Sequence, residues 1–393
     1  MIVSLTGLVV SFFAYFLAFP DRERRRFDIY LALLVLHLLM TVAYWLYHFE
    51  SAMDAFGYYR DPYGFYQMNP FESGTYFIVH VVQTIKGLFG GSFLDHFLFF
   101  QCFGMIGFAL LIRSFNEVAE SLGVEVPLFL YFLLFLPGPH FWSVAIGKDG
   151  PVFMAVALAA WASLHIQKRY VWFGVAVLVM AAIRPHVAAI AMGAACLSFL
   201  IARGVSPAVR MLMVPIGLVG LIVTLGRAEQ MLGISLSSAE SVSDFVQYQQ
   251  GLNTDFGSSN DLANLSFPLK VLSLLFRPFF FDTRGMMGLV ASAENAILLL
   301  IFGYIVYHWR DLVRLIGRVY YVTFCAIFSS ALIVALSLVN YNLGLGQRQK
   351  MMAMPAILLL YATLYLYRRY LASAAQVLPE EAPEAPAMTT AEA

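Results

Sequence analysis

The sequence contains about eleven apolar stretches, many of them long enough to cross a bilayer as helices. They lie near 2–19, 29–47, 93–112, 126–142, 151–167, 170–183, 186–202, 207–225, 288–308, 319–339 and 351–367. Hydrophobic residues make up 61% of the chain and charged residues only 12%, which excludes an ordinary soluble domain. We therefore expect an all-α polytopic membrane protein with about eleven transmembrane helices.

The predicted domain organisation is simple. Residues 1–372 should form a single transmembrane domain, and the Pro- and Glu-rich segment 373–393 a disordered cytoplasmic tail. Two connections are long, about 48–92 and 226–287, and each contains an apolar segment too short to span. Segment 75–89 has the spacing of an amphipathic interfacial helix, while 267–276 lies on the surface or re-enters.

Connections rich in Lys and Arg alternate along the chain with connections poor in them, and this alternation predicts the orientation of the chain. One side collects Arg22, Arg24, Arg25, Arg26, Lys168, Arg169, Arg310, Arg314, Arg318, Arg368 and Arg369. By the positive-inside rule this side is cytoplasmic, so the N-terminus is outside and the C-terminus is inside. The three cysteines lie in apolar spans without metal-ligand spacing, and zero net charge argues against a nucleic-acid partner.

Ten basic residues fall on the predicted outer side, against this bias. Four of them, Arg60, Lys86, Arg227 and Lys270, lie within the long loops and are readily solvated there. The other six lie close to span ends: Lys148, Arg184, Arg277, Arg284, Arg348 and Lys350. Cations in such places need a reason, and the simplest is an anionic ligand near the outer leaflet.

Carboxylates follow the second span on the same side. Glu50, Asp54 and Asp61 lie in a polar segment with Tyr58 and Tyr59. A positioned carboxylate there is a candidate general base towards a sugar hydroxyl, and the tyrosine rings are candidates for stacking on the sugar. Asp54 is the first choice for the base. The alternative is a solvated loop whose tyrosines form an interfacial aromatic belt.

Four outer turns supply candidate phosphate-binding groups. Guanidiniums can hold phosphate oxygens bidentately, Lys as a point charge, and amides by donation. The candidates are Lys148, then Arg184 with His186, then Arg277 with Arg284, and finally Asn342, Gln347 and Arg348 before the last span. The alternative for each turn is a cation that meets lipid headgroups or caps its own helix.

These residues resemble features of a known family. The outer loop with Asp54 and Tyr58-Tyr59, the Ala182-Ile183-Arg184-Pro185 helix end and the Gln347-Arg348 pair are similar to motifs of the C-type (GT-C) membrane glycosyltransferases. They also resemble features of bacterial exopolysaccharide and O-antigen polymerases. Three details depart from these patterns: no two acidic residues adjoin in the first loop, the span before Arg22 is an extra one, and position 200, sixteen after Arg184, is Leu rather than Gly.

The resemblance implies a GT-C-like fold and a glycosyl transfer reaction. The donor would be a polyprenyl-phosphate- or diphosphate-linked sugar, used at the periplasmic face of a bacterial inner membrane. The acceptor would be a glycan or a lipid-linked acceptor, with membrane lipid around it and other polysaccharide-assembly proteins as candidate partners. Asp54 would be the base, with Asp61 or Glu50 as substitutes, and Arg184, Arg277, Arg284 and Arg348 would hold the lipid phosphate.

Two other functions also fit an outer anion site. A transporter or flippase for a lipid-linked glycan would need ionisable residues within its spans, of which Glu294 is one of few. A non-catalytic subunit of a polysaccharide export system would bind without turnover. Metal dependence stays open, because Asp54, Asp61 and Asp255 could either hold a divalent cation such as Mg²⁺ or Mn²⁺ or be solvated.

Overall fold

The computed structural model describes residues 1–21, 25–49, 54–67, 72–254, 265–283, 285–339 and 342–377, with the backbone alone for 249–254 and 376–377. In this part of the chain the regular structure is entirely helical. The helices of the first half are α1 Ile2–Ala18, α2 Phe27–Tyr47, α3 Asp54–Arg60, α4 Thr75–Phe89, α5 Phe93–Ser121, α6 Leu128–Phe132, α7 Pro137–Ser143, α8 Asp149–Leu164 and α9 Ile166–Ile183. Those of the second half are α10 Pro185–Ile201, α11 Pro207–Leu232, α12 Ala239–Thr254, α13 Phe267–Phe276, α14 Met286–Tyr307, α15 Trp309–Leu315, α16 Tyr320–Val339, α17 Leu343–Lys350 and α18 Met354–Val377.

Six of these helices are long and apolar enough to cross a membrane: α2, α5, α9, α11, α14 and α16. Helices α17 and α18 add a seventh span if they are counted as one, bent by 59°. The prediction of a multi-pass helical membrane protein is thus confirmed. Three more of the expected eleven spans, at α1, α8 and α10, are apolar helices of 16 or 17 residues, so the count of eleven is not confirmed.

The expected span at 126–142 is wrong as a continuous helix. It consists of α6, a 3₁₀ turn over Leu133–Phe135, and α7. Pro137 has no N–H to donate and its ring disfavours the helical conformation for the residue before it. Leu136 accordingly has φ −57° and ψ 124°, which interrupts the helix.

Helix α5 is the centre of the bundle. Of its most apolar stretch, 72% is buried, against 11% for α11, which packs on α10 at the periphery. A capping box starts α5: Ser92 Oγ accepts from the Asp95 N–H at 3.2 Å, and Asp95 Oδ2 accepts from the Ser92 N–H at 2.9 Å. The α5 helix then packs against α1, α2 and α8, and also against α18 from the end of the described chain.

The two long connections carry helices. Between α2 and α5 lie α3 and α4, and α4 buries Ile78, Val79 and Val82 on one face, as its amphipathic spacing predicts. The second connection begins later than the predicted 226, because α11 continues to Leu232 and ends at Gly233, which adopts a left-handed conformation. Of the predicted tail 373–393, residues 373–377 continue α18, and 378–393 lie outside the described residues.

The end of α8 near Leu164 is fixed by a charged group around Glu117, which we call the Glu117 cluster. Glu117 of α5 accepts hydrogen bonds from Arg113, Arg169 and the Trp161 indole at 2.7–3.1 Å. The guanidiniums of Arg169 and Arg113 lie 4.0 and 4.8 Å from the Trp161 ring centroid. The cluster ties α5, α8 and α9 together at this end of the bundle.

Close approach of α1 and α5 depends on a glycine. A Cβ added at Gly7 would lie 2.5 Å from the Phe99 Cα and would also collide with the Leu98 carbonyl oxygen. Gly7→Ala should therefore force the two helices apart and lower the free energy of unfolding by roughly 1–3 kcal/mol. Unfolding by SDS in mixed micelles measures this. Gly174→Ala is the matched control, since a Cβ there meets no atom within 4 Å; equal stability of the two variants would contradict the tight α1–α5 contact.

Candidate functional site

A buried carboxylate at the start of α8 holds two guanidiniums. Asp149 follows Lys148 at the N-terminus of this helix, where a negative charge is favourable, and it is 3% exposed. Arg184 Nη2 donates to Asp149 Oδ1 at 2.8 Å, and Arg348 Nε donates to Asp149 Oδ2 at 2.5 Å. Because each oxygen takes a different arginine, Asp149 joins the α9–α10 hairpin to α17.

Arg348 also reaches the outer edge of this site. Its Nη1 donates to Asp54 Oδ2 at 3.0 Å, and the Asp54 side chain is 55% exposed. The guanidinium carbon lies 5.9 Å from the centroid of the Trp142 ring. One arginine thus bridges a buried carboxylate and a solvent-accessible one, and Asp54 is the acidic group that faces outward.

Lys148 is the third cation of the site. Its Nζ donates to Thr75 Oγ1 at 2.8 Å, which ties the start of α8 to α4. Burial, followed by the neighbouring Arg184, lowers the pKa of Lys148 to about 8. The ammonium is therefore still charged at pH 7. Three cations and two carboxylates leave one net positive charge, and we call this group of Asp54, Lys148, Asp149, Arg184 and Arg348 the Asp149 cluster.

Two buried polar atoms in and beside the cluster have no hydrogen-bond partner among the described residues. Arg184 Nε and His186 Nδ1 are inaccessible and make no hydrogen bond with the described residues. An unsatisfied buried donor is costly, so such atoms commonly meet water or a ligand. Their position on the α9–α10 hairpin means that a ligand oxygen could be held there together with the arginines.

The two predicted tyrosines have different surroundings. Tyr58 is buried, and burial followed by the nearby Asp54 raises the pKa of its hydroxyl. Tyr59 turns towards α5: its hydroxyl donates to the Gly91 carbonyl at 2.9 Å, and Lys86 Nζ lies 4.3 Å from its ring centroid. Only Tyr58 is close to the Asp149 cluster.

Of the two predicted carboxylates that the structure describes, Asp54 joins the cluster and Asp61 has other partners. Asp61 accepts from the backbone N–H groups of Phe65 and Tyr66 at 2.7 and 2.9 Å and so fixes the 3₁₀ turn after α3. None of its described hydrogen bonds reaches the cluster. Glu50 lies outside the described residues. Within those residues, no group of three or more His, Cys, Asp or Glu side chains is placed to hold a metal ion, and Asp255 lies outside them.

Three other predicted phosphate-binding residues hydrogen-bond to groups of the protein itself: Arg277, Asn342 and Gln347. Arg277 donates twice to Asp282, at 2.9 and 2.7 Å, so its guanidinium has an internal counter-ion. Asn342 Oδ1 accepts from the Gly344 and Leu345 N–H groups and caps α17. Gln347 Nε2 donates to the Arg277 carbonyl at 2.5 Å. Arg284 lies outside the described residues.

A buried polar network fixes α17. Its Lys350 is one of the six cations that the sequence assigned to an anionic ligand, whereas its Asn295 was not predicted as a site residue. Lys350, 3% exposed, donates to Asn295 Oδ1 and, at 3.1 Å, to the Leu275 carbonyl. Asn295 Nδ2 donates to the Pro278 carbonyl at 2.9 Å. Arg348 is therefore placed by a helix whose neighbouring polar groups are bound to α13 and α14.

Asp149 is the central residue that the sequence did not identify. In the sequence, Asp149 stands next to Lys148 and so resembles one half of a local ion pair. Its partners in the structure are Arg184 and Arg348, which are 35 and 199 positions away. A signal was present, since two cation-bearing turns near span ends require a counter-charge, and Asp149 is one of the few acidic residues next to them.

Removal of the central charge should destabilise the protein. Asp149→Asn leaves two largely buried guanidiniums without their carboxylate, which should lower the free energy of unfolding by roughly 3–5 kcal/mol. The exposed pair Arg26–Asp28 provides a matched control, and Asp28→Asn should change stability little. SDS unfolding of both variants measures the difference; a stability of Asp149→Asn close to wild type would rule out a structural role for this carboxylate.

Comparison with known proteins does not assign the chain to a family. No protein-family model matches the chain, and no curated protein or solved structure matches it. The resemblance to GT-C glycosyltransferases therefore stays a prediction, and function is inferred from the Asp149 cluster and its surroundings.

Proposed function

We propose that this chain is an integral membrane glycosyltransferase or polysaccharide polymerase of GT-C type, with about eleven spans. Its donor would be a polyprenyl-phosphate- or diphosphate-linked sugar at the periplasmic face of a bacterial inner membrane. The observation that supports this most is the Asp149 cluster, where three cations surround a buried carboxylate and Asp54 faces solvent. Cell-surface polysaccharide or glycoconjugate assembly is the process that such a reaction serves.

The positive charge of the cluster suits a phosphate leaving group. In glycosyl transfer the bond between the anomeric carbon and the phosphate oxygen breaks, and the phosphate keeps the electron pair. Guanidiniums that are already in place stabilise this growing charge strongly in a poorly solvated site. Arg184 and Arg348 are held in place by Asp149, and Arg184 Nε, which has no partner in the described part of the chain, offers a further donor.

Asp54 is suited to act as the general base of this reaction. The acceptor hydroxyl oxygen attacks the anomeric carbon, and its proton has to go to a nearby acceptor atom. Asp54 is the exposed carboxylate of the cluster, and one of its oxygens is bonded to Arg348. This bond would orient the carboxylate beside the phosphate while its other oxygen receives the proton.

One observation favours a second candidate, transport of a lipid-linked anion. Glu294 is 4% exposed within α14 and accepts from the Gly138 N–H at 2.6 Å, and Lys350 is buried nearby in α17. Ionisable groups inside membrane helices are frequent in transporters. Transport requires no base, so the role of Asp54 separates the two candidates.

Phosphate-lipid binding tests the anion site. Arg348→Gln should weaken binding of polyprenyl phosphate to nanodisc-embedded protein about tenfold or more, because a charge-assisted hydrogen bond contributes roughly 1.5–3 kcal/mol. Arg60→Gln is the matched control, because Arg60 is an exposed arginine of α3 that stacks on Phe56. Equal affinities of the two variants would contradict the proposal that the cluster binds phosphate.

An assay of turnover tests whether Asp54 is the general base. With polyprenyl-phosphate hexose as donor and native membranes as the source of acceptor, Asp54→Asn should reduce release of free polyprenyl phosphate roughly 10²- to 10⁴-fold. Binding of polyprenyl phosphate should be kept, since Asn removes the base without removing a cation. Undiminished release from Asp54→Asn would exclude Asp54 as the base, whereas binding without any release from wild type would favour transport.

The charge of Lys148 predicts a pH dependence of binding. Since its pKa is lowered to about 8, Lys148 is protonated below this pH and neutral above it. Affinity for polyprenyl phosphate should therefore fall as pH rises from 7 to 9, by up to about tenfold for the loss of one charged contact. Lys148→Arg, which stays charged, should abolish the decrease; the same decrease in this variant would assign it to another group.

A further inference from the structure

Two histidine rings face each other in the core of the bundle, apart from the Asp149 cluster. His37 lies in α2 and His140 in α7, and both are fully buried. Their Nδ1 atoms are 2.8 Å apart, with ring centroids at 5.1 Å and an angle of 65° between the planes. Two ring nitrogens at this distance require a proton between them.

The other nitrogen of each ring faces a backbone carbonyl. His37 Nε2 is 2.9 Å from the Gln101 oxygen, and His140 Nε2 is 2.8 Å from the Leu134 oxygen. A carbonyl oxygen only accepts hydrogen bonds, so both Nε2 atoms have to donate. These two bonds use the single ring proton of each neutral histidine.

Two neutral rings would then present one lone pair to another across 2.8 Å. The three short contacts need three ring protons, whereas two neutral histidines have two. We propose that His37 and His140 form a proton-binding site that holds one additional proton between the two Nδ1 atoms at neutral pH. The proton comes from water, and no other reactant is required.

The surroundings are built for this close pair. A Cβ added at Gly104 would lie 2.7 Å from His37 Cε1 and 2.6 Å from Ser143 Oγ, so only glycine leaves room for the ring. The Phe108 ring lies flat on His140, with centroids 4.0 Å apart and planes at 15°. An aromatic face attracts a cation, and the added charge is spread over two rings, so both effects reduce the cost of burying it.

The groups that face the pair are uncharged. From α5 they are the Phe108 ring and the Gln101 carbonyl, and from α2 Thr41, whose hydroxyl donates to the His37 carbonyl. No charged side chain of the described residues is hydrogen-bonded or ion-paired to either ring. The acid that contacts α7 is Glu294, and its carboxylate is bonded to the Gly138 N–H. The proton therefore has no counter-ion in contact, and the three hydrogen bonds are what hold it.

Nitrogen NMR of ¹⁵N-histidine-labelled protein in nanodiscs at pH 7 tests the proposal. We expect both Nε2 atoms to be protonated and a single proton, detected by coupling between the two nitrogens, to be shared by the Nδ1 atoms. Two neutral rings with one protonated nitrogen each, and no coupling, would overturn it. The measurement needs no substrate, so its outcome is independent of the proposed function.

Two variants identify the signal. Gly104→Ala should displace His37 and abolish the shared-proton signal, while Gly174→Ala, whose Cβ meets nothing within 4 Å, should keep it. A shared-proton signal unchanged in Gly104→Ala would also overturn the proposal, because the signal would then come from other histidines. If Gly104→Ala does not fold, the wild-type spectrum alone decides.

Discussion

The site depends on the two ion pairs that the Asp149 carboxylate makes with Arg184 and Arg348. This carboxylate draws an arginine from the α9–α10 hairpin and another from α17 into a poorly solvated place, where neither would be stable without a counter-charge. The same contact gives the guanidiniums a fixed orientation. Fold and site are therefore coupled, since the group that keeps the helices together also keeps the cations available for an anion.

The second constraint is the interruption of helices at the places where the polar groups meet. Helix α7 is short because Pro137 stops the chain from continuing from α6, and its Gly138 N–H is free to bond Glu294. Helix α17 is separated from α18 by a 59° bend, and its polar side chains bond to the C-terminal end of α13 and to Asn295. Broken helices expose backbone groups in an apolar layer, and buried polar side chains satisfy them.

Apolar length and amphipathic spacing were enough to predict the helical membrane class and the helix at 75–89, because both follow from local sequence. The positions of charged residues close to the ends of apolar spans also identified Asp54, Lys148, Arg184 and Arg348, because such charges are rare in an apolar chain. Sequence could not show that Asp149 joins two of them, or that Asp282 neutralises Arg277, because these choices depend on tertiary packing. Pro137 and Pro139 were visible in the sequence, but the apolar residues around them suggested a continuous span.

The length of α8 has a consequence for how far water enters the protein. This helix separates the Asp149 cluster from the Glu117 cluster, and its 16 residues measure about 24 Å. The hydrocarbon layer of a typical bilayer is roughly 30 Å thick. None of the 16 residues is exposed, so other helices rather than lipid surround α8. If the charged groups at both ends of α8 are to reach water, water has to enter the protein below the level of the lipid headgroups on at least one side.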